Sequence, residues 1–251
     1  MLCSALGVEL VVRAWPRFVL LSVLLLGGHA LECAPAQAGA FGGALTLTSD
    51  YIFRGVSQGN GDPAAQADVH YTTATSTFFG AFASTLNRVR GYGYEGEVDA
   101  YLGQRFDLDP AWSLTFGGVS YWYLGSNLPV ANDYQEVSAA VSYLDQWSFS
   151  VAVSPNWPAY DYRYRVGRYP SYVANLEGQL PLPAHFLATA GLGYTSVTEG
   201  NHYFYGNAGV AFLYERWRLD AGYYLTQGRA ASLYPYGRAV NRLAATVSWH
   251  F

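Results

Sequence analysis

The chain has 251 residues, of which 51% are hydrophobic, 17% aromatic and 13% charged, with a formal charge of −4. That is about half the charge of an ordinary soluble domain; the aromatic load excludes disorder, and the negative balance speaks against a nucleic-acid partner. A mean hydropathy of +0.05 is too low for a helical membrane bundle. Twenty-two Tyr, 7 Trp and 27 Gly fit transmembrane β-structure instead, where polar and apolar residues alternate and cancel.

Arg13 and Arg17 precede an apolar run over 18–26, too short for a helix that needs about 20 residues to cross a bilayer. Small-residue patterns follow, Ala36-Gln37-Ala38 and Ala38-Gly39-Ala40. Residues 1–40 therefore read as a cleaved secretory signal peptide and 41–251 as one domain. Lipid attachment at Cys33 is disfavoured by Glu32, which stands where a small residue is needed. Cys3 and Cys33 leave with the leader, so the remainder carries no thiol for disulfides or metals.

From residue 41 onward the dominant period is two. In 95–106, Glu95, Glu97, Asp99, Tyr101 and Arg105 share one face, while Gly96, Val98, Ala100, Leu102 and Phe106 share the other. A helix would scatter these carboxylates around its cylinder; a strand sorts them polar inward and apolar outward. Such segments recur at 44–54, 64–71, 77–86, 95–106, 112–123, 134–144, 147–155, 169–180, 186–196, 202–213, 217–226 and 238–251. Short linkers alternate with longer Tyr/Arg/Gly-rich ones, including 55–63 and 156–168. This rhythm predicts a transmembrane up-and-down antiparallel β-barrel of about 12 strands, of the bacterial outer-membrane type, with short periplasmic turns. The alternating final segment ends at Phe251, like the terminal signal that the barrel-assembly machinery reads. Trp112, Trp147 and Trp217 open upward strands with outward parity, which places them in an aromatic belt at the inner interface.

The run Ser49-Asp50-Tyr51-Ile52-Phe53-Arg54-Gly55-Val56-Ser57-Gln58, followed by Pro63-Ala64-Ala65-Gln66, resembles the opening of the TorF family, also known as the Gcw_chp proteins of proteobacteria. The similarity continues through Phe78-Phe79-Gly80-Ala81 and 95–99 and covers essentially all of 41–251. Members often carry Asn where this chain has Asp50. The resemblance implies an outer-membrane barrel with a pore role, no established substrate and no catalytic residues.

Strand parity puts Asp50, Asp68, Glu95, Glu97, Asp99, Glu136, Glu177 and Asp220 on the inner face with Arg54, Arg105, Arg218 and Arg242, beside His70 and His250. Such charges must be paired or hydrated. The excess of acids predicts a negative, cation-preferring lumen, with Glu95, Glu97 and Asp99 as a ladder faced by Arg218, Arg242 or Arg105. Asp50 and Arg54 stand near the outer end of the first strand, as a constriction pair or as a salt bridge anchoring the first loop. Twelve strands enclose a backbone diameter of roughly 24 Å, with on the order of 10 Å left between side chains. Ions or small solutes are the expected cargo; a plugged, non-conducting surface barrel is the alternative.

Arg163, Arg165 and Arg168 lie in the basic run 160–169, expected as a solvated strand extension above the membrane, or as an extracellular loop near lipopolysaccharide phosphates or folded toward the lumenal acids. A lipid hydrolase would need a serine, a histidine and an orienting third group. Ser196 and His202 share a hairpin, but no Asp or Asn joins them on that face. No enzyme activity, cofactor, metal or nucleic acid is expected; the partners are outer-membrane lipid, lipopolysaccharide and the assembly machinery of a Gram-negative cell.

Overall fold

The computed structural model describes residues 18–19, 31–32, 39–88, 93–126, 132–160, 166–198, 201–234 and 237–251. Twelve antiparallel strands form a closed barrel in chain order. They are β1 (Ala40–Thr48), β2 (Ala64–Thr72), β3 (Thr77–Thr85), β4 (Gly96–Asp107), β5 (Trp112–Leu124) and β6 (Tyr134–Tyr143). The circle continues with β7 (Trp147–Tyr160), β8 (Val166–Pro181), β9 (Phe186–Thr198), β10 (Asn201–Tyr214), β11 (Trp217–Thr226) and β12 (Arg242–His250). Each corresponds to one of the twelve alternating segments. Closure comes from β12 on β1, with Thr246 opposite Thr48 and His250 opposite Ala44. Phe251 extends this seam by exchanging backbone hydrogen bonds with Gly43.

The barrel is apolar outside. Leu45, Leu47, Leu102, Leu192 and Leu243 are exposed, as are Trp112, Trp147 and Trp217, while their strand neighbours Thr46, Thr48, Ser113, Ser148 and Arg218 are buried. This inversion of the soluble pattern is the surface of a barrel with hydrocarbon around it, and closure leaves no strand edge unpaired there. No described helix is long and apolar enough to cross a membrane. Phe18–Val19 pairs with Leu31–Glu32; of the small-residue patterns over 36–40, residues 36–38 lie outside the described residues and Ala40 opens β1.

Several boundaries differ from the sequence reading, among them the start of the last strand at Arg242 rather than 238. The first strand ends at Thr48, and residues 49–63 form a loop carrying a two-residue ladder, Ile52–Phe53 against Val56–Ser57. β7 and β8 run on to Tyr160 and from Val166, because a bulge between Ser154 and Trp157 absorbs the irregularity near Pro155 and lets pairing resume. Between β11 and β12 the chain makes a short helix, α1 (Arg229–Leu233), inside what parity alone reads as loop.

Candidate functional site: a lumen divided by the first loop

The first loop folds inward. Tyr51, Phe53, Arg54, Val56 and Ser57 are all buried, although they belong to a connection rather than a wall. Its tip turns through two left-handed residues, Arg54 (φ 50) and Gly55 (φ 74). The tip crosses the lumen: Arg54 Nη2 meets Glu136 Oε1 on β6 at 2.6 Å, while the Tyr203 hydroxyl of β10 donates to Arg54 O at 3.1 Å. Thr226 of β11 donates to Gly55 O. The Arg54 guanidinium also lies over the Phe53 ring at 4.6 Å and near Trp157 of β7 at 5.9 Å. Burial opposes the charge on Arg54, but Glu136 and the surrounding phenols outweigh it and hold the guanidinium above its ordinary range.

The loop is pinned at its base as well. Asp50 Oδ2 accepts from Arg242 Nη1 at 2.5 Å and Asp50 Oδ1 from the Ser57 hydroxyl at 2.6 Å. Arg238, beyond α1, donates to Ser57 O and Gln58 Oε1. Asp50 and Arg54 are therefore not a pair on one strand: each reaches a different wall, because β1 stops six residues before Arg54.

The two sides of the lumen differ. Against β3–β6 the loop packs into aromatics, with Tyr51 on Phe82 and Phe53 on Tyr121. Opposite, the inward positions of β7–β9 are small or neutral: Ser148, Ser150, Ala152 and Ser154, then Ser171, Val173 and Asn175, then Thr189, Gly191 and Gly193, with the Tyr205 ring of β10 lying over Gly193 and reaching Asn175. Glu177, in the same inward register of β8 as Val173 and Gln179, remains exposed.

The inward charges pair mostly with near neighbours. Arg218 grips Asp220 with two nitrogens on both oxygens, and Arg105 bridges Asp107 and Asp145 at 2.7 and 3.0 Å. Asp68 meets His70 at 2.8 Å and accepts from the Tyr101 hydroxyl at 2.7 Å. The acidic ladder is corrected in two ways. Glu95 precedes β4, is 64% exposed in its side chain and pairs with Arg88 at 3.1 Å. Glu97 and Asp99 do face inward but are buried under the loop, and the three arginines expected opposite them are engaged elsewhere. Sequence reasoning missed the loop's burial; the apolar Tyr51, Ile52, Phe53 and Val56 in a connection were the available signal.

Within the basic run the structure places one arginine on a strand extension rather than in a loop. Arg168 sits within β8 opposite Pro158 and donates to Asp133 O and Asn156 O. Arg163 and Arg165 lie outside the described residues. Ser196 and His202 are register partners.

The fold is shared with solved porins. The KdgM porin matches at 9% identity with a TM-score of 0.51, covering 84% of this chain and 99% of that one. KdgM in complex with disordered oligogalacturonate gives 7% identity, 85% and 99% coverage and a TM-score of 0.51. The NanC porin gives 10% identity, 83% and 98% coverage and a TM-score of 0.56. No curated protein sequence matches the chain. The model of the bacterial proteins of unknown function called Gcw_chp matches residues 32–251, and the chain belongs to that family.

Proposed function

We propose that the chain is a non-enzymatic outer-membrane channel of narrow bore, passing ions or small solutes with a mild preference for cations. The observation that carries this reading is the unequal lumen: packed aromatics on one side, small polar side chains and the exposed Glu177 on the other. Water and solutes pass where side chains are short. The shared porin fold supports it, and the TorF name, with its pore role, belongs to the same reading. So do removal of residues 1–40 on export from a Gram-negative cytoplasm, recognition of the strand ending at Phe251 by the assembly machinery, and lipopolysaccharide around the outer rim. Cation preference moves from the ladder to Glu177, because charges focus ions only where water reaches them. Asp50, Glu136 and Asp220 serve with Arg242, Arg54 and Arg218 as lumenal pairs, while Arg105 is held by Asp107 and Asp145 and Asp68 by His70.

One observation favours a second reading. The loop spans from β6 to β10 and β11, which suits a plugged surface barrel. Single-channel recording of refolded protein in planar bilayers separates the two. Expected are small conductance steps and a reversal potential on the cation side, strongest at low salt and reduced by Glu177→Gln. Absence of conductance overturns the channel in favour of the plugged barrel; conductance with preference unchanged in Glu177→Gln removes that residue from selectivity.

A further inference from the structure

Glu97 and Asp99 stand two residues apart on the inner face of β4, about 7 Å along the strand, and both are almost fully buried, at 1% and 0% exposure. The chamber around them is aromatic. Asp99 lies between Phe82 of β3 and Tyr121 of β5, and Glu97 between Ser84 and Tyr123. Tyr121 stacks on Tyr134 of β6 at 4.2 Å, and Tyr51 of the inward loop covers Phe82. The Tyr51 hydroxyl approaches the Glu97 carboxylate, and burial, followed by the charges of Glu97 and Asp99, pushes the phenol above its ordinary range.

Both Asp99 oxygens and the buried hydroxyls of Tyr121 and Tyr134 lack a hydrogen-bond partner, while Tyr51 and Tyr123 approach the Glu97 carboxylate without meeting it in ordinary hydrogen-bond geometry. The Arg54 guanidinium, close to Tyr121 and Tyr134, is already matched by Glu136. Buried carboxylates without a partner cost several kcal/mol each unless neutralised. The pair must therefore be neutralised in place, by protons or by a cation, among phenol oxygens and away from bulk water.

We propose that Glu97 and Asp99, with the phenol oxygens of Tyr51, Tyr121 and Tyr134, bind one hard divalent cation of the calcium class. The chemistry is an all-oxygen donor set with a formal charge that one such ion cancels. No three His, Cys, Asp or Glu side chains converge anywhere among the described residues, so the site has two carboxylates and weak affinity. Because Tyr51 belongs to the loop and the other donors to the wall, the ion fastens the loop across the lumen. The site does not depend on whether the barrel conducts.

The test uses the full barrel refolded in a zwitterionic detergent free of lipopolysaccharide, with terbium as the probe for a calcium-class site. Tyrosine excitation should give sensitised terbium emission, displaced by calcium with half-effect at about 10⁻⁴–10⁻³ M, the range of sites with few carboxylates. The emission should vanish in the Glu97→Gln/Asp99→Asn double variant and persist in Glu177→Gln. Calcium should also raise the unfolding temperature of the parent and leave the double variant unmoved. Should the double variant fail to fold, Asp99→Asn alone should weaken displacement by about tenfold, as loss of a charged ligand does. Emission equal in parent and variant, or no emission above free terbium, overturns the site and leaves protons to neutralise the pair.

Discussion

Single side chains decide how the first loop is held. Gly55 adopts φ 74, and a Cβ there would lie 2.6 Å from both Thr226 Oγ1 and Tyr205 Cβ. Only glycine satisfies both the left-handed backbone and the close approach. Gly55→Ala should push the tip off β10 and β11, losing the bonds from Tyr203 and Thr226, with a cost of about 1–3 kcal/mol. Urea unfolding of the refolded barrel checks this; an unchanged midpoint would show that the tip does not rest on that wall. Arg54 shows how residue identity was legible while its role was not. Its charge and inward destiny could be read beside Asp50, yet its partner Glu136 stands 82 positions away, and nothing local names it.

At the level of the strand, register is pinned by glycines lying under cross-strand aromatics. Gly193 pairs with Tyr205, Gly103 with Phe78, Gly80 with Tyr101, and Gly178 with Trp147. In each pair a Cβ on the glycine would fall within 2.6 Å of the partner ring. The ring covers the backbone that the glycine exposes, and a slip by one residue would uncover it. Gly193→Val should evict Tyr205 from its contact with Asn175 and cost about 1–3 kcal/mol. Gly118 is the control, because a Cβ there meets only Glu136 O at 3.6 Å; Gly118→Val should unfold at nearly the parent denaturant concentration. Equal losses in both would show that glycine in a strand, rather than ring contact, sets the cost. These pairs were visible as residues in the sequence, but which glycine meets which ring follows from strand register alone.

For the barrel as a whole, the aromatic ends report its orientation. Trp112 pairs with Tyr143, Tyr143 with Trp147, and Trp217 with Trp249, so these four tryptophans gather at the end of the short turns. Their rings should sit at a single headgroup level, where one face is apolar and the other wet. Depth-positioned lipid quenchers should quench Trp112, Trp147 and Trp217 maximally at the same depth when each is observed in a variant lacking the other tryptophans. Quenching by an aqueous lumenal quencher instead would contradict the outward register.

The sequence by itself determined the barrel: a backbone whose side chains alternate faces makes inside and outside readable from a period of two, and counting the alternating runs yields twelve strands. It also assigned the inward parity of Glu97, Asp99, Glu177 and Arg218, since parity is a local property of each strand. What only the tertiary structure decided is where a connection goes and which charges meet. Residues 49–63 fold into the lumen because Tyr51, Phe53 and Val56 find apolar surface on opposite walls, and those walls are assembled from strands far apart in the chain. That inward fold buries Glu97 and Asp99, while Glu95, two residues earlier and just beyond the end of the strand, stays in water. Parity describes a direction; burial depends on what arrives from elsewhere to cover it.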